Sequence, residues 1–273
     1  MGPEISPHPL SPSALRRRLA LLAALAVVSA GVLFLGWDPM HQDPNYHVFA
    51  DSDTFLGVAN GLNVLSNAPF LLIGLLGVML VVRRRDLFLD PAEAYPYFVF
   101  FVGIGLTAFG SGYYHHHPTD ARLVWDRLPI AMAFMALFAA VIGERVGVRA
   151  GLALLGPLMA LGLASVYYWT RTDDLRPYYL VQGYPLAAIP LMLILFPPRY
   201  TRGRDLVIAV AWYAAAKGCE WYDREVYRLL GEVVSGHTIK HLLSAAGAFW
   251  VLRMLWLRRP NRSFHLAGRT LRH

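Results

Sequence analysis

Eight apolar runs constrain this chain more than any other feature. They lie near residues 19–37, 55–82, 96–117, 123–143, 149–169, 179–197, 204–222 and 237–257. A helix needs about 20 apolar residues to cross the roughly 30 Å of hydrocarbon in a bilayer, and each run is near that length. Charged residues make up only 16% of the chain, against about a quarter in ordinary soluble domains. The fold class read from this pattern is all-α, a polytopic transmembrane helix bundle. The loops are short, so helices adjacent in sequence should pack side by side. No soluble domain and no tandem repeat is visible.

The first run follows three arginines, and "RRRLALLAALAVVSAG" has the shape of a secretory leader. The apolar stretch continues through "VLFLGW" to Trp37, a length that favours an uncleaved membrane helix. The arginines then set an orientation. Arg16–Arg18, Arg83–Arg85, Arg145 and Arg149, Arg199, Arg202 and Arg204, and the group from Arg253 to Arg272 all fall on alternate ends of the runs. The positive-inside rule places both termini in the cytoplasm. It also accounts for the net charge of +7, so nucleic acid is not needed as a partner. The excess of arginine over lysine, 23 to 2, favours a bacterial inner membrane. The outer face is acidic and holds seven of the ten histidines, including His41 and His47; His8, His265 and His273 fall inside. That composition suits a divalent cation. Cys219 is the sole cysteine, so a metal would have to use His, Asp or Glu, and no intrachain disulfide can form.

Five outer residues converge by topology. Ser111 and His115 stand four apart at the end of the third run and share a face. "HPTD" turns the chain, and Asp126 follows one turn into the fourth run at similar depth. In "SGHTIKHLL", His237 and His241 are again four apart at the start of the last run, a spacing that can chelate one ion. Three histidines with an open fourth position match a catalytic zinc site. Zinc would lower the pKa of a bound water. A nearby carboxylate could carry the proton, and a serine could stabilise an oxyanion. Each piece also has an ordinary reading. The HxxxH pair alone is weak, His115–His117 could be an interfacial polar cluster, Asp126 could pair with Arg122 or Arg127, and two histidines could hold a haem. His116 and His117 point about 100° and 200° away from His115 and read as surface residues.

"SGYYH", the aspartate of "WDRLP" eleven residues on, and the late "HTIKH" resemble the alkaline ceramidases. The wider group is the seven-helix membrane hydrolases that include the adiponectin-type receptors. "NVLSNAPF" is similar to that family's first shared helix, and the resemblance covers roughly residues 49–257. It implies a seven-helix bundle with zinc on His115, His237 and His241, helped by Ser111 and Asp126. It implies hydrolysis of the ceramide amide, a sphingolipid reaction that yields a sphingoid base and a fatty acid, on a substrate drawn from the bilayer. The organisation is then a cytoplasmic tail at 1–18, an extra N-terminal helix at 19–37, a ceramidase-like domain at 49–257 and a basic cytoplasmic tail at 258–273. Relatives in eukaryotes also bind calcium before the first shared helix. Here Asp51, Asp53 and Asn60 are the candidates, against a solvated loop with a helix cap, and the acidic pattern does not match residue by residue.

Other expectations concern single residues. Lys217, Glu220 and Asp223 should form an ion-pair ladder on one helix face, and Lys240 should point away from its neighbouring histidines. Pro69, Pro157, Pro185 and Pro190 should kink helices. Trp125, Trp169 and Trp221 should belong to an outer aromatic belt. Competing functions on the same scaffold are a receptor-like lipid binder, a lipid esterase or phospholipase, and a haem or metal-handling protein.

Overall fold

The apolar runs fall on helices, most with ends within about three residues of those expected; α1 starts earlier, at Pro12, and the run at 55–82 starts later, at Gly61. The computed structural model describes residues 10–261. His8, Arg262, His265, Arg269, Arg272 and His273, with most of the two tails, lie outside the described residues. The described chain contains α1 (Pro12–Leu35), α2 (Gly61–Leu65), α3 (Ala68–Arg83), α4 (Ala94–His116), α5 (Asp120–Arg145), α6 (Val148–Thr172), α7 (Arg176–Leu195), α8 (Arg204–Trp221), α9 (Asp223–Leu229) and α10 (Gly236–Leu257). The protein is 78% helical with no strands among the described residues.

Six segments are long and apolar enough to cross a membrane: α1, the α2–α3 pair, α4, α5, α6 and α7. Eight were expected. The other two, α8 and α10, are 18- and 22-residue helices packed on each other. They are less apolar because they carry Arg204, Asp205, Lys217 and Glu220 on α8 and His237, Lys240, His241 and Arg253 on α10. The run at 55–82 is not one helix. Leu56 and Gly57 take φ of 53° and 78° in a tight turn, and Asn60 enters α2 at φ 49°. Pro69 sits in the first turn of α3 rather than inside it, where its missing N–H removes nothing. The prolines inside helices are Pro129, Pro157, Pro185 and Pro190.

Helix α5 is the axis of the bundle, with 72% of its apolar window buried, and α4, α6 and α7 pack around it. The core runs through Tyr97, Phe101, Met135, Ala139, Met192 and Leu255, all buried. The outside is apolar as well: Val27, Val32 and Leu35 of α1, Leu72 and Leu75 of α3, and Tyr167 of α6 are exposed. Such a surface needs lipid, not water, around it. Among the residues of α1 only Leu22 is buried, and this helix lies against α7.

Some arginines read as topology markers are structural. Arg258 pairs with Glu144, which also accepts from the Tyr97 hydroxyl at 2.7 Å. Arg199 pairs with Glu93 at 2.9 Å. These pairs lie at the end of the bundle opposite the three histidines. Trp125 and Trp221 are exposed as belt residues should be, whereas Trp169 is buried against Arg127.

Candidate metal centre and cavity

The start of α10 is fixed by three independent devices. Ser235 caps the helix, accepting from the Thr238 N–H at 3.1 Å. Asp223 accepts from the His237 N–H at 2.7 Å and from the Ala50 N–H at 2.9 Å. Asn63, from the short helix α2, accepts from the Thr238 hydroxyl at 2.9 Å and donates to the Asp51 carbonyl at 2.8 Å. Asp223 therefore serves as a clamp and is not the third rung of a ladder; Lys217 and Glu220 do pair as expected. The last turn of α4 comes to the same place, where Asn60 donates to the His115 carbonyl at 2.9 Å.

The consequence is a cluster of three buried imidazoles. His115, His237 and His241 are 0%, 4% and 2% exposed, and their ring centroids lie 4.7, 4.8 and 5.0 Å apart. One nitrogen from each falls within 4.8 Å of the others, so the triad could hold a metal ion. Two further details fit. The Nε2 atoms of His115 and His237 are 3.3 Å apart. Two nitrogens each about 2.0–2.1 Å from a tetrahedral ion would be separated by about 3.3 Å. The Ser66 hydroxyl reaches both the Asn63 carbonyl, at 3.2 Å, and Nδ1 of His241, at 2.8 Å; with its proton on the carbonyl it accepts from Nδ1–H. The lone pair of His241 is then on Nε2, which is buried and has no partner. Outer partners that fix a tautomer in this way are a regular feature of metal-binding histidines. The rings pack against each other and against Phe49, at 4.8 Å from His115 and 4.7 Å from His237. A porphyrin has no room between them, so the bis-histidine haem alternative does not suit this geometry.

Ser111 and Asp126 are both buried and line one cavity with His241, with the Ser111 side chain next to the Asp126 carboxylate. Asp126 Oδ1 has no partner. Asp126 is not salt-bridged to Arg122, which lies over the Tyr113 ring, or to Arg127, which hydrogen-bonds Gln42. No family model matches the chain, and no curated protein does. The resemblance to the alkaline ceramidases rests on the sequence motifs quoted above alone.

Lys240 overturns one expectation. It does not point away from the histidines: its Nζ lies 3.0 Å from His237 Nε2 and 3.0 Å from Glu220 Oε1. The three-residue step from His237 puts Lys240 on a neighbouring position of the same helix face, and its long stem does the rest. Glu220 also accepts from the Tyr46 hydroxyl at 3.2 Å. Burial, with Glu220 beside it, holds the Tyr46 phenol well above its ordinary range, so it stays a donor.

A cavity of about 450 Å³ begins at these groups. Its polar end is lined by Ser111, Asp126, Arg127, Glu220, Lys240 and His241. Below them it is apolar, reaching Phe100, Leu137, Ile189 and Val251. Phe100 is eleven residues from Ser111 on α4, a depth of about 16 Å. Tyr179, Gly183 and Lys217 bring the cavity to the surface between α7 and α8, and His41 and Asp43 bring it to the outer loop.

Of the candidate calcium residues, Asp51 is buried, Asp53 is exposed, and Asn60 spends its amide on the His115 carbonyl. Asp51 holds the Asp53 N–H at 3.0 Å with one oxygen, and its other oxygen has no partner. His116 and His117 are exposed, as the helical geometry required. Sequence reasoning gave no role to Asn63, Ser66 or Phe49. The signal for the first two was present, because polar side chains inside an apolar run have functions by default.

Proposed function

We propose that this chain is a zinc-dependent integral-membrane amidase. It would hydrolyse the amide bond of ceramide or a similar N-acyl lipid to a sphingoid base, or another amine, and a free fatty acid. One observation carries the reading. Three buried histidines, each offering a ring nitrogen within 4.8 Å of the others, share the polar end of an otherwise apolar cavity with the neighbouring side chains of Ser111 and Asp126. The alkaline ceramidase resemblance supplies the reaction class, and the charge pattern supports a site at the outer face of a bacterial inner membrane with both termini cytoplasmic.

His115, His237 and His241 would hold the zinc, which when bound acidifies water and polarises a carbonyl. The chain's own groups supply the rest. The apolar walls accept the acyl chain and place its amide at the polar end. Asp126, through its free Oδ1, takes a proton from the attacking water. The new C–O bond forms, the C–N bond breaks, and Asp126 returns the proton to the departing amine nitrogen. Ser111, beside the carboxylate, offers its hydroxyl where negative charge develops on the carbonyl oxygen. Calcium is not carried into this proposal, because of its three candidate residues only Asp51 keeps a buried oxygen without a partner.

The test is metal content and turnover of the purified protein in detergent. About one zinc per chain is expected, with loss of zinc in both His237→Ala and His241→Ala. Asp126→Asn should keep the zinc and lose about 10²–10⁴-fold in amide hydrolysis. A chain without zinc, or Asp126→Asn with full activity, would refute the assignment.

A further inference from the structure

The polar end of the cavity contains a cation that, among the described residues, no salt bridge engages. Arg127 lines the cavity and is 5% exposed. Its Nη2 donates to Gln42 Oε1 at 2.6 Å, while its Nη1 has no partner. Among the described residues no carboxylate salt-bridges it. Of the nearby carboxylates, Glu220 is paired with Lys217, Lys240 and Tyr46, and Asp126, the preceding residue of α5, interacts with Arg127 through charge but makes no salt bridge with it. The guanidinium is held in orientation by aromatic rings, with its Cζ 4.0 Å from the Trp169 centroid, 5.1 Å from Tyr178 and 5.8 Å from Tyr46. A buried charge without a partner is costly, and a rigid guanidinium fork matches the geometry of a carboxylate or phosphate.

Position decides which part of a ligand this fork would meet. Arg127 directly follows Asp126 on α5, at the polar end, and the apolar depth of the cavity lies on the other side. An anion bound there belongs to the amine half of an acyl amide, a few bonds from the amide itself.

We propose that Arg127 selects substrates whose amine half bears an anion. The preferred substrate class is then an acidic acyl amide, a fatty acid joined to an amine that carries a carboxylate or a phosphate, over neutral ceramide. The proposal rests on the amidase reading above.

The test compares N-palmitoylglycine and N-palmitoylethanolamine phosphate with neutral N-palmitoylethanolamine. The full chain, loaded with zinc, should hydrolyse at least one acidic amide with kcat/KM about tenfold above the neutral one. Arg127→Gln should lose about 10–100-fold on that substrate only, with Arg127→Lys restoring part of it. Which acidic amide gains identifies carboxylate or phosphate as the recognised group. Calorimetry on chelator-treated protein reads binding without turnover. There the wild type should bind the acidic lipid about tenfold tighter than the neutral one, and Arg127→Gln should erase the difference. If the binding preference is present and no amide is hydrolysed, the amidase reading falls and the role of Arg127 stands. Equal binding of acidic and neutral lipids by the wild type overturns the proposal. So does an Arg127→Gln variant that melts lower and loses both classes equally, because that is the signature of a purely structural arginine.

Discussion

His241 shows how much of a site is decided one bond beyond it. Its Nδ1 lies 2.8 Å from the Ser66 hydroxyl, which also reaches the Asn63 carbonyl, and Asn63 in turn holds Thr238 on α10. With the serine proton on that carbonyl, Nε2 is the nitrogen left to act as a ligand. Ser66→Ala should leave the bundle folded and weaken zinc affinity about 10–100-fold, measured by competition with a chelator. An unchanged affinity would mean that the tautomer is set by something else. The same residue-scale logic separates Lys240 from Arg127. Lys240 has its counter-ion in Glu220, whereas Arg127 has only an amide oxygen and aromatic faces.

At the level of helices, the site depends on two close approaches. A Cβ on Gly110 would lie 2.0 Å from the Trp125 carbonyl oxygen, and one on Gly236 would lie 2.2 Å from the Cys219 carbonyl oxygen. The first contact seats α4 on α5 so that Ser111 meets Asp126; the second drives the start of α10 into the end of α8. Gly110→Ala must push α4 and α5 apart. Displacements near 1 Å can cost about 100-fold in rate, so turnover should fall by that order while the helical circular dichroism is unchanged. The helices themselves were legible in the sequence, because length and apolarity are properties of single segments. So was the convergence of His115, His237 and His241, since four-residue spacing and alternating topology fix depth. What escaped notice depends on tertiary contact. Leu56 in a left-handed turn reads as one more apolar residue of a helix, and Trp169 looks like a belt residue until the guanidinium it covers is known. The lower apolarity of α8 and α10 has a related cause: Glu220, Lys240 and His241 line the cavity, while Asp205 and Arg253 pair with each other at the other end of the bundle.

On the scale of the whole molecule, the outer loop after α1 is tied across the bundle to the α6–α7 turn. Asp174 accepts from the Met40 and Arg176 N–H groups and pairs with the Arg176 side chain at 2.8 Å; Arg176 donates to the Trp37 carbonyl at 2.8 Å, and Leu175 N–H to Met40 at 2.9 Å. The Arg176 hydrogen bonds hold the Asp174 carboxyl below its usual range. Its contribution to stability is present above the unfolded carboxylate value of about 3.9. It is lost as pH falls through the lower folded value. The melting temperature of the wild type should drop over that acid range. Asp174→Asn should start lower at neutral pH and lose less on acidification; parallel curves would remove the tie from the account. The tied loop carries His41, Asp43 and Tyr46 over one mouth of the cavity, while Tyr179, Gly183 and Lys217 frame another on the flank. Under the proposed amidase reading, the first mouth would meet the aqueous boundary and the second the lipid at the flank of the bundle. A reaction that cuts an amphiphile into a polar and an oily piece could then discharge each product into the phase that dissolves it. Neither piece would have to retreat past the other, and the traffic through the chamber would run one way without any moving gate.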